Sequence, residues 1–334
     1  MLDRLRKAFD PYIALMLATV GIAALAPARG QGAVVADVAA DAGIVFLFFL
    51  YGARLSPRAA WDGLRQWRLH LAVLLCTFAL FPVLGLGLKF AAGDSLPPAL
   101  ATGLLFLCVL PSTVQSSIAF TSIARGNVAA ALCAASASNI LGIFLTPLLA
   151  GWLLHTQGAQ LSFGVFRDIV LQLLAPFLAG QLLRRWIGAW VQKHKQVLGY
   201  ADRGSILLII YVAFSKGMVD HIWRQIELRD LVVLFGLLAV LLALALFLTA
   251  VIARRLMRLS VEDEIVLQFC GSKKSLASGL PIASVLFAGP QLGLIVLPLM
   301  LFHQLQLIVC AVLARRYGAR PEPEALQAAA PAQA

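Results

Sequence analysis

Apolar residues run along this chain in long unbroken blocks, separated by short charged or Pro/Gly-rich breaks. Strict alternation, the mark of a half-buried strand, is absent. The blocks predict ten helical spans near residues 11–27, 37–55, 69–90, 97–123, 127–154, 166–186, 203–220, 228–254, 262–287 and 290–313. The stretch from Leu231 to Val251 is apolar on every face. A helix of that kind is buried in a large core or in lipid, whereas a transmembrane β-strand alternates polar and apolar positions.

Composition decides for lipid. Of 334 residues, 61% are hydrophobic and 13% charged, against roughly 45–50% and about 25% in a soluble domain, and the mean hydropathy is +0.88. The net charge of +11 does not point to nucleic acid, because the basic residues sit in short stretches between spans. They divide as 19 on one side, six on the other and two, Lys273 and Lys274, inside a span. The positive-inside rule then predicts both termini in the cytoplasm and, for a bacterial chain, the inner membrane. Arg4, Arg6 and Lys7 ahead of a short apolar run also resemble a signal peptide, but the first block is read here as a span. Cys76, Cys108, Cys133, Cys270 and Cys310 show no metal or disulfide spacing and read as small hydrophobes. The segment from Ser56 to Arg68, with Trp61 and Trp67 among arginines, predicts an interfacial helix.

Ten spans split into two halves of five, joined by a basic loop around Trp186 to Arg203. An odd number per half inserts the halves in opposite senses, which is the arithmetic of an inverted repeat. The expected organisation is a cytoplasmic N-terminus at 1–10, a first repeat at 11–154, a connection at 155–166, a second repeat at 167–317 and a disordered tail at 318–334. The fourth span of each half is interrupted. In span four Pro111, Ser112, Thr113, Val114, Gln115, Ser116 and Ser117 break the apolar run, and in span nine Cys270, Gly271, Ser272, Lys273, Lys274 and Ser275 do so. Counted from Glu262 to Glu264, the two lysines lie roughly 14–17 Å along the span, near mid-bilayer. Paired breaks of this kind mark a transporter's binding site, and lysines at that depth face a cavity or a partner. Asp37 and Asp41 fit the start of span two and receive no role.

At these residues the sequence resembles the bile acid:sodium symporter family, solute carrier family 10, and in particular its SBF-like orphan branch. The matching stretches are Pro111 to Ser117, Ala124-Arg125-Gly126-Asn127-Val128 and Gly271 to Ala277, and the resemblance extends over residues 8–315. It implies an all-α membrane protein of ten helices, with a panel domain, a core domain and crossing spans four and nine. It also implies sodium beside the crossover and an organic anion between the domains. Sodium-coupled members look like Pro-Gly-Gly-x-x-Ser-Asn in span four and Glu-x-Gly-x-Gln-Asn in span nine. Here Ser112 and Thr113 replace the glycines, Ser116 keeps the serine and Ser117 replaces the asparagine. Gln268 stands for the glutamate, Ser272 for the glutamine and Lys273 for the final asparagine, so no confident metal site is left. Thr77 corresponds to a family glutamine, and Ser136, Ser138 and Asn139 are the nearest hydroxyl and amide ligands in span five.

The expected function is secondary transport of a small organic anion by symporter-like alternating access. A lysine ammonium would occupy the volume and charge of a bound ion, and the coupling ion is left between Na+ and H+. Thr113, Gln115, Ser116, Ser117, Gln268, Ser272 and Ser275 would supply neutral ligands or hold the lysines, with His303 and Gln304 lining the same cavity. A non-transporting membrane regulator or sensor on the same fold is the alternative. No HExxH, GxSxG or P-loop pattern supports an enzyme. The partners expected are the small organic anion and the lipid bilayer.

Overall fold

The computed structural model describes residues 11–54, 66–155, 170–221, 224, 226–287 and 289–320. Among them the regular structure is helical throughout. We label the helices in chain order: α1 Pro11–Leu25, α2 Gly30–Arg54, α3 Trp67–Ser95, α4 Pro98–Cys108, α5 Gln115–Ile123 and α6 Val128–His155. After these come α7 Ala175–Lys193, entered through a π-turn at Val170–Leu174, then α8 Lys195–Val219 and α9 Leu228–Leu256. The last three are α10 Val261–Gly271, α11 Leu276–Leu286 and α12 Leu292–Gly318. By length and composition α2, α3, α6, α8, α9 and α12 can each cross a membrane.

Several boundaries differ from the sequence reading. α2 begins seven residues before the expected 37, so Asp37 and Asp41 lie inside the helix. α7 and α8 meet at His194, where the backbone turns at φ −102° and ψ 22°. The expected basic loop from Trp186 to Arg203 is therefore helix. In each case polar residues continue a helix that the apolar block alone would end. The predicted connection beyond His155 and most of the interfacial segment, with Trp61, lie outside the described residues, as do residues 1–10 and 321–334. Trp67 and Arg68 start α3.

The helices pack in two groups. α1, α2, α7 and α8 form one, and α3 to α6 with α9 to α12 form the other. In the first group α2 and α7 approach backbone to backbone. A Cβ on Gly52 would sit 2.0 Å from the carbonyl oxygen of Phe177, and one on Gly180 would sit 2.0 Å from that of Phe49. The main junction between the groups is α8 against α11 and α12.

Two networks pin one end of the second group. Ser260 caps α10 by accepting from the Asp263 N–H, and Glu262, Asp263 and Glu264 lie at the helix's positive end. Arg254 Nη2 lies 2.6 Å from Glu264 Oε1, and the Tyr317 hydroxyl donates to the same oxygen. Arg320 donates to the carbonyls of Ala124 and Arg125 at 2.8 and 2.7 Å and pairs with Glu262 at 2.9 Å. One guanidinium thus joins the negative end of α5 to the positive end of α10.

Candidate functional site

The two expected breaks exist and touch each other. α4 stops at Cys108 and α5 starts at Gln115; α10 stops at Gly271 and α11 starts at Leu276. Pro111 has no N–H to continue the first helix, and its ring packs where a Cβ on Gly142 of α6 would come within 2.7 Å. The Ser275 N–H donates to the Pro111 carbonyl at 2.8 Å, so the extended pieces are joined backbone to backbone.

A helix end leaves carbonyls that must find donors, and those from Phe106 to Ser112 are accounted for one by one. Phe106 and Leu107 accept from Val109 and Leu110 in a tightened last turn. Val109 accepts from the Thr146 hydroxyl at 2.9 Å, and Ser112 accepts from Asn139 Nδ2 at 2.6 Å. The Ser112 N–H, the ordinary helical partner of the Cys108 carbonyl, donates instead to Ser138 Oγ at 3.0 Å. Cys108 and Leu110 are left, and both accept from Lys274 Nζ at 2.8 Å.

The third ligand of Lys274 comes from a defect in α3. Residues Cys76–Leu80 form a π-turn in which the Phe81 N–H bonds the Cys76 carbonyl. The Thr77 carbonyl loses its α-helical donor to that shift, and its π-helical donor would be residue 82, which is Pro82. It accepts from Lys274 Nζ at 2.7 Å. The ammonium's three N–H groups thus meet three carbonyls, with the Phe81 ring centroid 4.2 Å away. Lys274 is fully buried. Inserting a lysine at the bilayer centre costs about 2.5–3.5 kcal/mol, and hydrogen bonds to a charged group return roughly 1.5–3 kcal/mol each. Three such bonds, two at the negative end of α4 and one from α3, outweigh the cost.

Lys273, also fully buried, is held differently. Its Nζ lies 3.2 Å from Ser116 Oγ, 4.4 Å from the Phe120 ring centroid and 5.6 Å from that of Phe269. Ser116 belongs to a hydroxyl cluster at the start of α5. Thr113 Oγ1 lies 2.6 Å from Ser116 Oγ and 3.2 Å from Ser117 Oγ, and Ser117 donates to the Phe269 carbonyl at 3.0 Å.

Most of the expected residues converge here, with corrections of role. Thr77 contributes its carbonyl, because its hydroxyl is turned back onto Val73 at 2.7 Å. Ser138 and Asn139 bond the break, whereas Ser136 is half-buried on α6 and takes no part in these bonds. Gln115 begins α5 and is exposed. Gln268 Nε2 donates to the Leu246 carbonyl of α9 at 2.8 Å, away from the lysines, and Ser272 donates back to the Gln268 carbonyl. Ser275 caps α11 by accepting from the Ser278 N–H. On α12 it is Gln306, not Gln304, that reaches the crossover. Its Oε1 accepts from the Lys274 N–H and its Nε2 donates to the Lys274 carbonyl, both at 2.9 Å. His303 Nδ1 lies 2.9 Å from the same Nε2. Gln306, Thr146 and Ser278, which donates to Asn139 Oδ1 at 2.7 Å, were missed. Each is a polar residue inside an apolar span, and that was their only signal.

Two buried side-chain oxygens, Ser112 Oγ at the first break and Gln268 Oε1 in the last turns of α10, have no hydrogen-bond partner among the described residues. No cluster of three or more metal-ligating side chains occurs among those residues.

A helical membrane protein with two broken, touching helices and fixed charge at the breaks is built like a transporter. The comparisons with known proteins give the family. The chain belongs to the SBF-like CPA transporter family, whose match covers residues 10–319. It is 55% identical to "Uncharacterized protein PA2026" of Pseudomonas aeruginosa over 95% of both chains. It is 47% identical to "Putative symporter YfeH" of Escherichia coli K12 over 97% of both chains. The "Sodium/bile acid cotransporter 7" of Rattus norvegicus is 27% identical over 94% of this chain and 93% of its own.

Proposed function

We propose that this protein is a secondary transporter of a small organic anion and works by alternating access, with the Lys274 ammonium built in where sodium-coupled relatives would bind a mobile cation. The observation that carries this reading is the ligation of Lys274 Nζ by the carbonyls of Thr77, Cys108 and Leu110. Three carbonyl oxygens around one positive charge are the ligands of a monovalent cation, here satisfied by the chain itself. The second lysine, the hydroxyls of Thr113, Ser116 and Ser117, and the positive N-terminus of α5 supply the attraction for an anion. Gln115, exposed at that N-terminus, stands where a substrate would arrive.

In this reading α4 with α5 is the fourth span and α10 with α11 the ninth. The chain then crosses the bacterial inner membrane ten times in two inverted halves, 11–154 and 167–317, with both termini cytoplasmic. α1, α2, α7 and α8 rock against the remaining helices, and the break residues stay at the pivot. The names of two relatives, "Putative symporter YfeH" and "Sodium/bile acid cotransporter 7", support coupled transport of an organic anion. The loss of the family's carboxylate at Gln268 supports coupling without sodium, because a hard cation takes several oxygen ligands.

Counterflow of radiolabelled taurocholate and other organic anions into proteoliposomes tests the proposal. Wild-type exchange should be unchanged when external Na+ is replaced by N-methylglucamine, and should fall at least tenfold in Lys274→Ala and Lys273→Ala. Equal flux in the wild type and both variants would remove the lysines from the mechanism.

A further inference from the structure

α2 carries two carboxylates, Asp37 and Asp41, one turn apart on the same face. Asp41 lies eleven residues after Gly30, about 16 Å along the axis, close to the middle of a helix long enough to cross the membrane. Asp37 has a partner, since Lys216 Nζ of α8 stands 2.9 Å from its Oδ1. Asp41 is exposed, and among the described residues it forms no ion pair. A carboxylate at this depth does not face lipid; such residues face a bundle interior or a water-filled cavity. α2 has a flank to offer, because its main packing partners are α7 and α8, both of its own group, while α8 makes the junction to α11 and α12.

We propose that Asp41 lines a water-filled path between the two helix groups and carries the coupling proton of this transporter. The inference rests on the transport reading above and names the group that couples it. Lys274 is unsuited to that task, because its three carbonyls match the three N–H groups of an ammonium and leave no donor for the lone pair of a neutral amine. A metal ion is unsuited as well, since one free carboxylate does not make up its ligand set. A proton needs only Asp41 and water. On one side of the membrane a water-borne proton forms the carboxyl O–H bond, and on the other side that bond breaks and the proton returns to water.

Charge supplies the coupling. An ionised Asp41 repels an anion entering the same path, and a protonated one does not. Proton and anion therefore favour each other's binding by the same factor. The charged groups facing Asp41 are Asp37 on its own helix and Lys216 on α8. The π-turn of Val170–Leu174 that packs against α2 has no charged residue, and the charged residues of α7 lie from Arg184 onward, toward its far end. Asp202 on α8 is engaged with Arg54 at 3.0 Å, at the opposite end of α2.

Two measurements test the proposal, and the first needs no substrate. The full chain in phospholipid vesicles is treated with a water-soluble carbodiimide and glycine ethyl ester across a pH series, and the peptide containing Asp41 is followed by mass spectrometry. Asp41 should be modified within tenfold of the rate at Asp94, in the last turn of α3, and faster at lower pH. Modification by lipid-soluble dicyclohexylcarbodiimide alone, or none while Asp94 reacts, overturns the water-filled path. The second measurement is uptake of taurocholate driven by an imposed pH gradient. Asp41→Asn should lose at least tenfold of the gradient-driven accumulation and Asp41→Glu should restore it; full accumulation by Asp41→Asn overturns the coupling role. If the wild type moves no taurocholate under any gradient, the transport reading fails with that anion, and the labelling still decides the exposure of Asp41.

Discussion

Lys274 is held by atoms that have no side-chain identity. Its position in a break was legible, because two lysines inside an apolar span have no cheap explanation. Its ligands were not, since all three are backbone carbonyls freed by helix defects, one of them through the missing N–H of Pro82. The same physics moved Thr77 from side-chain ligand to carbonyl ligand. Gln306 was passed over for Gln304 because neighbouring glutamines on one helix look alike until packing selects a face. Removing the ammonium should show its structural weight. Lys274→Met leaves three buried acceptors without a donor, each costing about 1–3 kcal/mol, so a clear fall in Tm is expected in differential scanning fluorimetry. An unchanged Tm would mean that water or a neighbouring donor satisfies those carbonyls. Gln306→Leu should lower Tm by a smaller amount, since it removes the two bonds to the Lys274 backbone and spares the cage.

Among the helices, the breaks between α4 and α5 and between α10 and α11 were legible and several helix ends were not. Pro111 and the Gly271 to Ser275 stretch announce an interruption by backbone chemistry. Nothing equally sharp marks where α2 and α8 begin, because a helix can carry Asp37, Asp41 and Asp202 once each has a partner or water. The π-turn of α3 has no signature beyond Pro82, yet it provides one third of the Lys274 cage. Pro82→Ala tests that link. It supplies an N–H to the Thr77 carbonyl, in competition with Lys274, and should lower anion exchange several-fold without lowering Tm. A drop in Tm with exchange unchanged would detach the π-turn from function. The α2 and α7 contact makes a purely structural prediction. Gly52→Val or Gly180→Val puts a branched side chain where 2.0 Å is available, and either variant should fail to give folded, monodisperse protein in size-exclusion chromatography.

For the whole molecule, the apolar blocks established the all-helical membrane class before any motif was read. The asymmetry of basic residues proposed the topology. What could not be read is how the helices sort into two groups, because the apolar faces of membrane helices are interchangeable and small residues such as Gly52 and Gly180 select the partners. Single cysteines introduced at Asp94 and at Arg125 in a cysteine-free background check the topology. A membrane-impermeant maleimide added to intact cells should label the first and not the second, and the reverse pattern would invert the orientation.

Whether the tethered ammonium of Lys274 stands in for a bound sodium ion is read from thermal stability against Na+ concentration at constant ionic strength. An ion that binds the folded state adds about 2.7 kcal/mol at a hundredfold its Kd, a shift that is easily seen. Wild-type Tm should stay flat as Na+ replaces N-methylglucamine, while Lys274→Ala, with its carbonyl cage emptied, should gain stability on addition of ammonium or Na+. A saturable rise of the wild-type Tm with Na+ would contradict that role, because the site would then still bind the ion that Lys274 is held to replace.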